Sequence, residues 1–256
     1  MNKISGVIIT FNEERKIGRC IGSIHDIVDE VVVVDSLSTD STEEICRSFE
    51  KVRFIKQPFL GYVHQKNFAN NQATGDYILS LDGDEELDDV AREEVKILRQ
   101  SSRTDAYSWN RMNHFCGKWI KHGAWYPDTK IRLWPKGKAQ WTGDSLHEKI
   151  TVSPDVDVVR LKGQILHYTS DSMDQYLVRI NPYTTIAANA LYEKGMRFVW
   201  VKIFVSPLVR FVRDYFLKRG FLDGYYGFFI AVNTAYSVFL KYAKFHMMTL
   251  QNRPKQ

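Results

Sequence analysis

The chain has 256 residues, of which 44% are hydrophobic and 13% are aromatic. This composition is too apolar for a disordered chain, and 15 Gly and 7 Pro exclude collagen-like and low-complexity sequences. The length allows one large domain or one domain with an appendage, and 35 basic against 30 acidic residues give a net charge of +5.

The first part of the chain alternates predicted strands and helices. Short apolar segments rich in β-branched residues predict buried strands, and the segments between them have helical character. The predicted strands are residues 6–9, 31–34, 52–56 and 77–81, and the predicted helices are residues 13–25, a segment beginning at Ser41 or Thr42, and residues 62–73. This order predicts an α/β fold in which a mostly parallel sheet has helices on both faces.

Three of the predicted strands end in a polar or acidic residue, namely Thr10, Asp35 and Asp82. In parallel sheets ligands bind beyond the carboxyl ends of the strands, so we expect these three side chains together at one edge. Asp35 has two interpretations: its carboxylate accepts hydrogen bonds from a base or a ribose, or it caps the turn that follows. Residues 10–13 offer further polar groups to a nucleotide.

The segment Asp82-Gly83-Asp84 follows an apolar strand directly. Two carboxylates one residue apart can share a divalent cation, and Mg²⁺ or Mn²⁺ prefers such oxygen ligands while leaving positions for phosphate oxygens. The alternative is an acidic helix start, because acidic side chains favour the first turn of a helix. We assign metal or nucleotide binding to Asp82 and Asp84. We assign the helix start to the acidic residues that follow, which are Glu85, Glu86, Asp88 and Asp89.

The chain changes character after residue 105. Short mixed segments at residues 106–113, 130–134 and 149–152 predict antiparallel additions to the sheet, joined by long loops. From about residue 172 the chain is predicted to be helical to its end. The sequence therefore predicts one domain over residues 1–170 and a helical region over residues 171–256.

Cysteine content and the first residues point to a reducing compartment. Cys20, Cys46 and Cys116 are odd in number and widely spaced, which predicts free thiols rather than a disulfide framework or a zinc site. The apolar part of the first ten residues is too short for the core of a signal peptide. We therefore expect a cytoplasmic protein.

The positive charge is concentrated in the last quarter of the chain. Residues 1–193 have a net charge of −4, whereas residues 194–256 have a net charge of +9. Residues 224–240 carry no charge but are too short and too polar to span a bilayer. Aromatic and apolar residues interleaved with Lys and Arg predict helices that lie on an anionic membrane surface. The alternatives are a helical lid and an oligomer contact; nucleic acid is not expected, because no binding motif is present.

Several motifs together resemble the family 2 glycosyltransferases with the GT-A fold. The matching segments are residues 7–14, 32–42, 65–67 and 73–85. Residues 125–128, 132–134, 146–149, 166–168 and 219–224 are similar to one subgroup, the lipopolysaccharide core β-1,4-glucosyltransferases. The resemblance implies a GT-A fold, with a nucleotide-binding sheet in a catalytic domain over residues 1–170, followed by C-terminal helices. Leu37 departs from the family pattern, where a small residue is common.

The resemblance also implies an activity and roles for individual residues. The activity is inverting transfer of a sugar, with glucose expected, from a nucleotide-diphospho-sugar to a lipopolysaccharide core or another envelope glycan. The implied donor-binding residues are Thr10, Asn12, Glu13, Asp35, Lys66 and Asp82. The implied ligands of Mg²⁺ or Mn²⁺ are Asp82, Asp84 and His167, although a strand His is also often a hydrogen-bonded core residue. Glu148 matches the catalytic base, with Asp144 in reserve.

The remaining expectations concern the acceptor site and two alternative functions. Trp125, Tyr126 and Asp128 are candidates for the acceptor site, because aromatic faces pack on sugar rings; the alternative is that the two aromatic residues fill a core. A sugar nucleotidyltransferase would carry a Gly-rich basic loop after the first strand, and residues 10–13 do not form one. A non-catalytic membrane-surface scaffold is disfavoured because Asp82, Asp84 and Glu148 are present. We therefore expect a metal-dependent hexosyltransferase, peripheral on the inner face of the cell membrane.

Overall fold

The computed structural model of the chain describes residues 1–101, 104–143, 148–196 and 200–251. The strands are β1 (Ile4–Thr10), β2 (Glu30–Asp35), β3 (Val52–Lys56), β4 (Tyr77–Asp82), β5 (Glu85–Leu87), β6 (Ala106–Phe115), β7 (Lys118–Ile120), β8 (Thr129–Pro135), β9 (Ala139–Thr142), β10 (Lys149–Val152) and β11 (Val158–Ser170). The helices are α1 (Ile17–Ile24), α2 (Thr42–Arg47), α3 (Tyr62–Gln72), α4 (Asp89–Leu98), α5 (Met173–Glu193), α6 (Trp200–Val212) and α7 (Tyr225–Gln251). A π-helical turn (Arg213–Leu217) and a 3₁₀ turn (Gly220–Asp223) connect α6 to α7.

The chain forms two compact units. The first comprises residues Met1–Met112 and Asp128–Tyr168, and the second comprises Asn113–Pro127 and Thr169–Gln256. Residues 113–127 therefore belong to the helical unit, although they lie within the range 1–170 predicted for the catalytic domain. All three cysteines are free thiols.

The sheet of the first unit has the strand order β3-β2-β1-β4-β8-β6-β11-β5. The first four of these strands pair in parallel. The pairings β4–β8, β6–β8 and β5–β11 are antiparallel, as predicted for the segments after residue 105. One prediction is wrong: β10 does not join this sheet but pairs with β9 in a separate two-stranded sheet.

Both faces of the parallel strands are buried. Alternate residues such as Ile8 and Val33 pack in one apolar cluster with residues of α1, α2 and α4, and their neighbours Val7 and Val32 pack in another with α3. Side chains of a strand alternate between the two faces, so helices on both faces require strands that are apolar throughout. The predicted α/β fold is confirmed.

Two helix boundaries differ from those predicted. The predicted helix over residues 13–25 begins only at Ile17, because Asn12 has a left-handed φ of +53° and residues 14–16 form a turn. The acidic segment after Asp84 was predicted to begin a helix, but Glu85 and Glu86 lie in β5 instead. Asp88 and Asp89 do begin α4, and the Asp88 carboxylate accepts a hydrogen bond from the Ala91 N–H at 2.8 Å.

The second unit is built on long helices, as predicted from residue 172 onward. Phe115 packs edge-on against Trp125 and Tyr176 and stacks on Phe229, which lies in α7. In the part of the chain that the structure describes, no helix is long and apolar enough to cross a membrane.

Candidate active site

Strand register brings the three predicted edge residues together. Thr10 pairs with Asp35 across β1 and β2, and Ile9, which precedes Thr10, pairs with Asp82 across β1 and β4. The predicted clustering of Thr10, Asp35 and Asp82 is confirmed. The Thr10 hydroxyl is buried and has no hydrogen-bond partner within the described residues.

The Asp82 carboxylate lies between two buried cations. Lys66 Nζ is 2.8 Å from one oxygen, and Arg132 Nη2 is 2.9 Å from the other. Burial by itself raises the pKa of Asp82, but Lys66 and Arg132 hold that pKa well below its usual range. Lys66 Nζ also lies 4.2 Å above the centre of the Trp141 ring. The edge of the sheet therefore presents an ionised carboxylate with two fixed positive charges.

Glu85 is the second carboxylate of this cluster. Its side chain is fully buried, and Oε1 accepts hydrogen bonds from Arg132 at 2.7 Å and from Arg111 at 3.1 Å. Its other oxygen accepts a hydrogen bond from the Asp82 N–H at 3.2 Å. Glu85 thus holds Arg132 beside Asp82 and secures the backbone of Asp82 as well.

Sequence reasoning missed Arg111, Arg132 and Glu85. A charged residue within a predicted strand such as 130–134 signals a buried partner, because an unpaired buried charge is unstable. That signal does not identify the partner. Arg132 lies in β8, which pairs with β4, and Glu85 follows the last residue of β4 by three positions, where it lies opposite His167 of β11.

Asp84 and His167 form a separate pair. His167 Nε2 lies 3.2 Å from Asp84 Oδ2, and Tyr168 donates its backbone N–H to the Asp84 carbonyl oxygen. Burial by itself raises the pKa of Asp84, but His167 lowers it below its usual range. Within the described residues, no group of three or more His, Cys, Asp or Glu side chains is arranged to hold a metal. Asp82, the third predicted ligand, is engaged by Lys66 and Arg132.

Glu148, the predicted base, lies beside the same edge. Its Oε1 is 3.6 Å from Lys66 Nζ, and about a quarter of its side chain (24%) is exposed to solvent. Lys66 therefore connects the predicted base to Asp82. The reserve base, Asp144, lies outside the described residues.

The loops after β1 and β2 are bound to each other. The Asn12 N–H donates to Ser38 Oγ at 2.8 Å, and Asn12 Oδ1 accepts from the Thr39 N–H at 2.9 Å. The Glu13 N–H donates to Thr42 Oγ1 at 2.9 Å. Of the residues predicted for the nucleotide, Asn12 and Glu13 therefore brace these two loops against each other.

Asp35 caps the turn that follows β2. It is fully buried and accepts hydrogen bonds from the N–H and the hydroxyl of Ser38. Leu37, which departs from the family pattern, is 49% exposed and has a left-handed φ of +66°. A bulky side chain is strained there, which explains why a small residue suits the position.

The three residues predicted for the acceptor belong to different units. Trp125 and Tyr126 lie in the helical unit, where Trp125 packs at 5.5 Å from Phe115 between ring centres. Asp128 lies in the first unit and pairs with Arg111 at 2.8 Å and Lys130 at 2.9 Å. Burial by itself raises the pKa of Asp128, but these two cations lower it.

The motif at residues 219–224 has a structural role in the helical unit. The buried Asp223 carboxylate accepts the backbone N–H groups of Lys121 at 3.1 Å and His122 at 2.8 Å. A Cβ on Gly227 would lie 1.8 Å from the carbonyl oxygen of Gly220, so the two backbones meet only because residue 227 is glycine. The motif packs the start of α7 onto the preceding turn.

Comparisons with known proteins give a consistent result. A family model described as glycosyl transferase family 2 matches residues 5–151. An uncharacterized glycosyltransferase of Rickettsia typhi is 33% identical over 99% of this chain and 90% of its own length. The lipopolysaccharide core biosynthesis glycosyltransferase LpsC of Rhizobium meliloti is 31% identical over 98% of this chain and 95% of its own. Among solved structures, S. aureus TarS in complex with UDP-GlcNAc has a TM-score of 0.49 at 13% identity, covering 99% of this chain and 93% of that one.

Proposed function

The chain belongs to glycosyl transferase family 2, and on this premise we propose that it moves a hexose from a nucleotide-diphospho-sugar to a cell-envelope glycan. The resemblance drawn from the sequence motifs is thereby confirmed at the level of the family and of its GT-A fold. The observation that carries the proposal is the position of Lys66, whose ammonium group lies between the carboxylates of Asp82 and Glu148. The charged donor and the base that deprotonates the acceptor would therefore both lie next to Lys66.

The proposed reaction is a single inverting displacement. Glu148 removes the proton from an acceptor hydroxyl, which is a poor nucleophile until it is deprotonated. The acceptor oxygen then forms a bond to the anomeric carbon, and the bond to the diphosphate breaks with its electron pair on the leaving group. One carboxylate suffices for this displacement, whereas hydrolases of glycosides use a pair.

The chain's own cations would act on the donor. Lys66 and Arg132 are fixed by Asp82 and Glu85, so they need no rearrangement to face a developing negative charge. The buried Thr10 hydroxyl and the braced loops after β1 and β2 would receive the nucleotide half. Asp35 would contribute there by holding the Ser38 turn in place.

We propose that a divalent cation binds at the pair Asp84 and His167. These side chains face each other at 3.2 Å and offer the oxygen and nitrogen donors that Mn²⁺ accepts, while Mg²⁺ would favour Asp84. Asp82 would join as a third ligand only by releasing Lys66 or Arg132. When bound, the metal would neutralise charge on the leaving diphosphate.

The acceptor and the donor sugar are proposed from similarity. LpsC acts in lipopolysaccharide core biosynthesis by its name, and it matches nearly the whole chain, which supports a lipopolysaccharide core or related envelope glycan as acceptor. UDP-glucose is the donor that the subgroup resemblance suggests. A membrane-bound acceptor of this kind would place the enzyme on the inner face of the cell membrane.

A donor-hydrolysis assay tests the proposal. The full chain is incubated with a panel of nucleotide sugars and Mg²⁺, Mn²⁺ or EDTA, and nucleotide release is measured. We expect metal-dependent release from one donor, and a strong reduction in Asp84→Asn. Absence of release from every donor with either metal would overturn the proposal. Mass spectrometry of the envelope glycan from a strain lacking the chain then identifies the missing hexose.

A further inference from the structure

The most exposed side chains of helix α6 are all apolar. Its exposed residues include Trp200 (62% exposed), Val201 (70%), Phe204 (65%) and Leu208 (68%). The full set is Trp200, Val201, Phe204, Val205, Leu208, Val209 and Val212. These positions recur as neighbouring pairs every four residues, so they form one face of the helix. A helix that packs on a core normally turns polar residues outward, and α6 does the reverse.

Exposed apolar residues continue along the chain beyond α6. They follow in the turns before α7 and at its start, namely Phe216, Leu217, Phe221, Leu222 and Tyr225. These residues, with the seven of α6, are called the apolar face below. Scattered exposed hydrophobic residues are normal, but twelve of them within residues 200–225 mark an interaction surface.

The exposed charges of segment 194–251 are all positive. The only acidic residues of segment 194–251 are Asp214 and Asp223, and both are buried. Asp214 is enclosed by Arg210 and Arg213, and Asp223 binds the backbone of residues 121 and 122. Lys218 and Arg219, by contrast, are exposed within the apolar face.

We propose that the apolar face docks on an anionic lipid bilayer and lies within its interface. Aromatic and aliphatic side chains would enter the headgroup region, while Lys218 and Arg219 meet lipid phosphates. Two copies of this chain meeting through the same face would bring these basic residues together with no exposed acidic residue of segment 194–251 to pair with them. The inference deepens the proposed function, on which it rests for a membrane-bound acceptor, by naming the surface that binds.

Vesicle flotation tests the inference on the full chain. The triple variant Val201→Asp/Phe204→Asp/Leu208→Asp places charges on the apolar face. The control, Val90→Asp/Ile97→Asp, changes two exposed apolar residues of α4, which are 53% and 69% exposed. Vesicles contain either phosphatidylglycerol with phosphatidylcholine or phosphatidylcholine alone. Circular dichroism verifies that each variant is folded.

We expect the wild type and the control to float with the anionic vesicles and less so at high salt, since salt screens the basic residues. The triple variant should bind more than tenfold more weakly. Equal binding by the triple variant, or no flotation of the wild type, would overturn the inference. A wild-type dimer that the triple variant converts to monomer, without vesicle binding, would assign the face to a second copy. Nucleotide release measured without vesicles should be unchanged in the triple variant, so a failure of docking is distinguishable from a failure of the proposed reaction.

Discussion

The two units of the chain place charge in opposite ways. In the first unit, Lys66, Arg132 and Glu85 lie buried beside Asp82 at the strand edge, where opposite charges compensate one another. In the last part of the helical unit the acidic residues are buried, and basic and apolar side chains are at the surface. A site that stabilises a developing charge needs its own charged groups held in position in advance. A surface that binds a large partner needs its charged groups exposed to solvent.

Removal of the proposed base is expected to have the largest effect. Glu148→Gln keeps the size and a hydrogen-bonding oxygen but cannot take a proton, so transfer should slow by about 10²- to 10⁴-fold. Donor affinity, measured by isothermal titration calorimetry, should be nearly unchanged. Glu93→Gln, at an exposed position of α4, is the control. Near-normal turnover in Glu148→Gln would remove this residue from the role.

Loss of Arg132 tests the buried charges of the first unit. Arg132→Met leaves Glu85 with one cation fewer and Asp82 with Lys66 alone, so the free energy of unfolding should fall by about 3–5 kcal/mol. Urea denaturation measures the change. Arg47→Met removes an exposed helical ion pair with Glu43 and should cost less than about 0.5 kcal/mol. Similar losses in both variants would show that the opposite charges of the buried cluster do not stabilise one another.

The glycine contact in the helical unit is tested by Gly227→Ala. The new methyl group would collide with the carbonyl oxygen of Gly220, so α7 must shift, at a cost of about 1–3 kcal/mol. Gly22→Ala in α1 is the control: a Cβ there meets nothing within 4 Å, so Ala should stabilise the helix by about 0.5–1 kcal/mol. Thermal unfolding compares the two, and a neutral Gly227→Ala would show that the backbones need not touch.

The smallest expected effect is a pH dependence at Asp128. Its folded-state pKa is lowered by Arg111 and Lys130, so its contribution is complete above the unfolded pKa of about 3.9 and is lost as pH falls through the folded value. Asp128→Asn should therefore be less stable than the wild type by about 1 kcal/mol at pH 7. The difference should shrink as pH falls below about 4. Urea unfolding at both pH values measures it, and a constant difference would exclude the ion pairs as its source.

Local sequence patterns predicted the first unit closely. The four parallel strands were placed to within a few residues, since apolar, β-branched segments are recognisable without knowledge of their partners. Helix α1 was predicted too long, because nothing local in residues 13–16 opposes a helix. The sequence predicts a helix start at β5, because acidic residues favour the first turn of a helix. In the structure Glu85 instead binds the cations Arg111 and Arg132, which lie far from it in the chain.

The sequence by itself determined the family, the order of strands and helices, and the edge where Thr10, Asp35 and Asp82 meet, because these follow from motifs, periodicity and the direction of parallel strands. Only the tertiary structure decided which side chains form ion pairs. Lys66 and Arg132 pair with Asp82, Arg132 also pairs with Glu85, and His167 pairs with Asp84. The tertiary structure likewise decided that α6 turns its apolar face outward. Such pairings join residues far apart in the chain, so they depend on strand register and helix packing, which no local pattern contains.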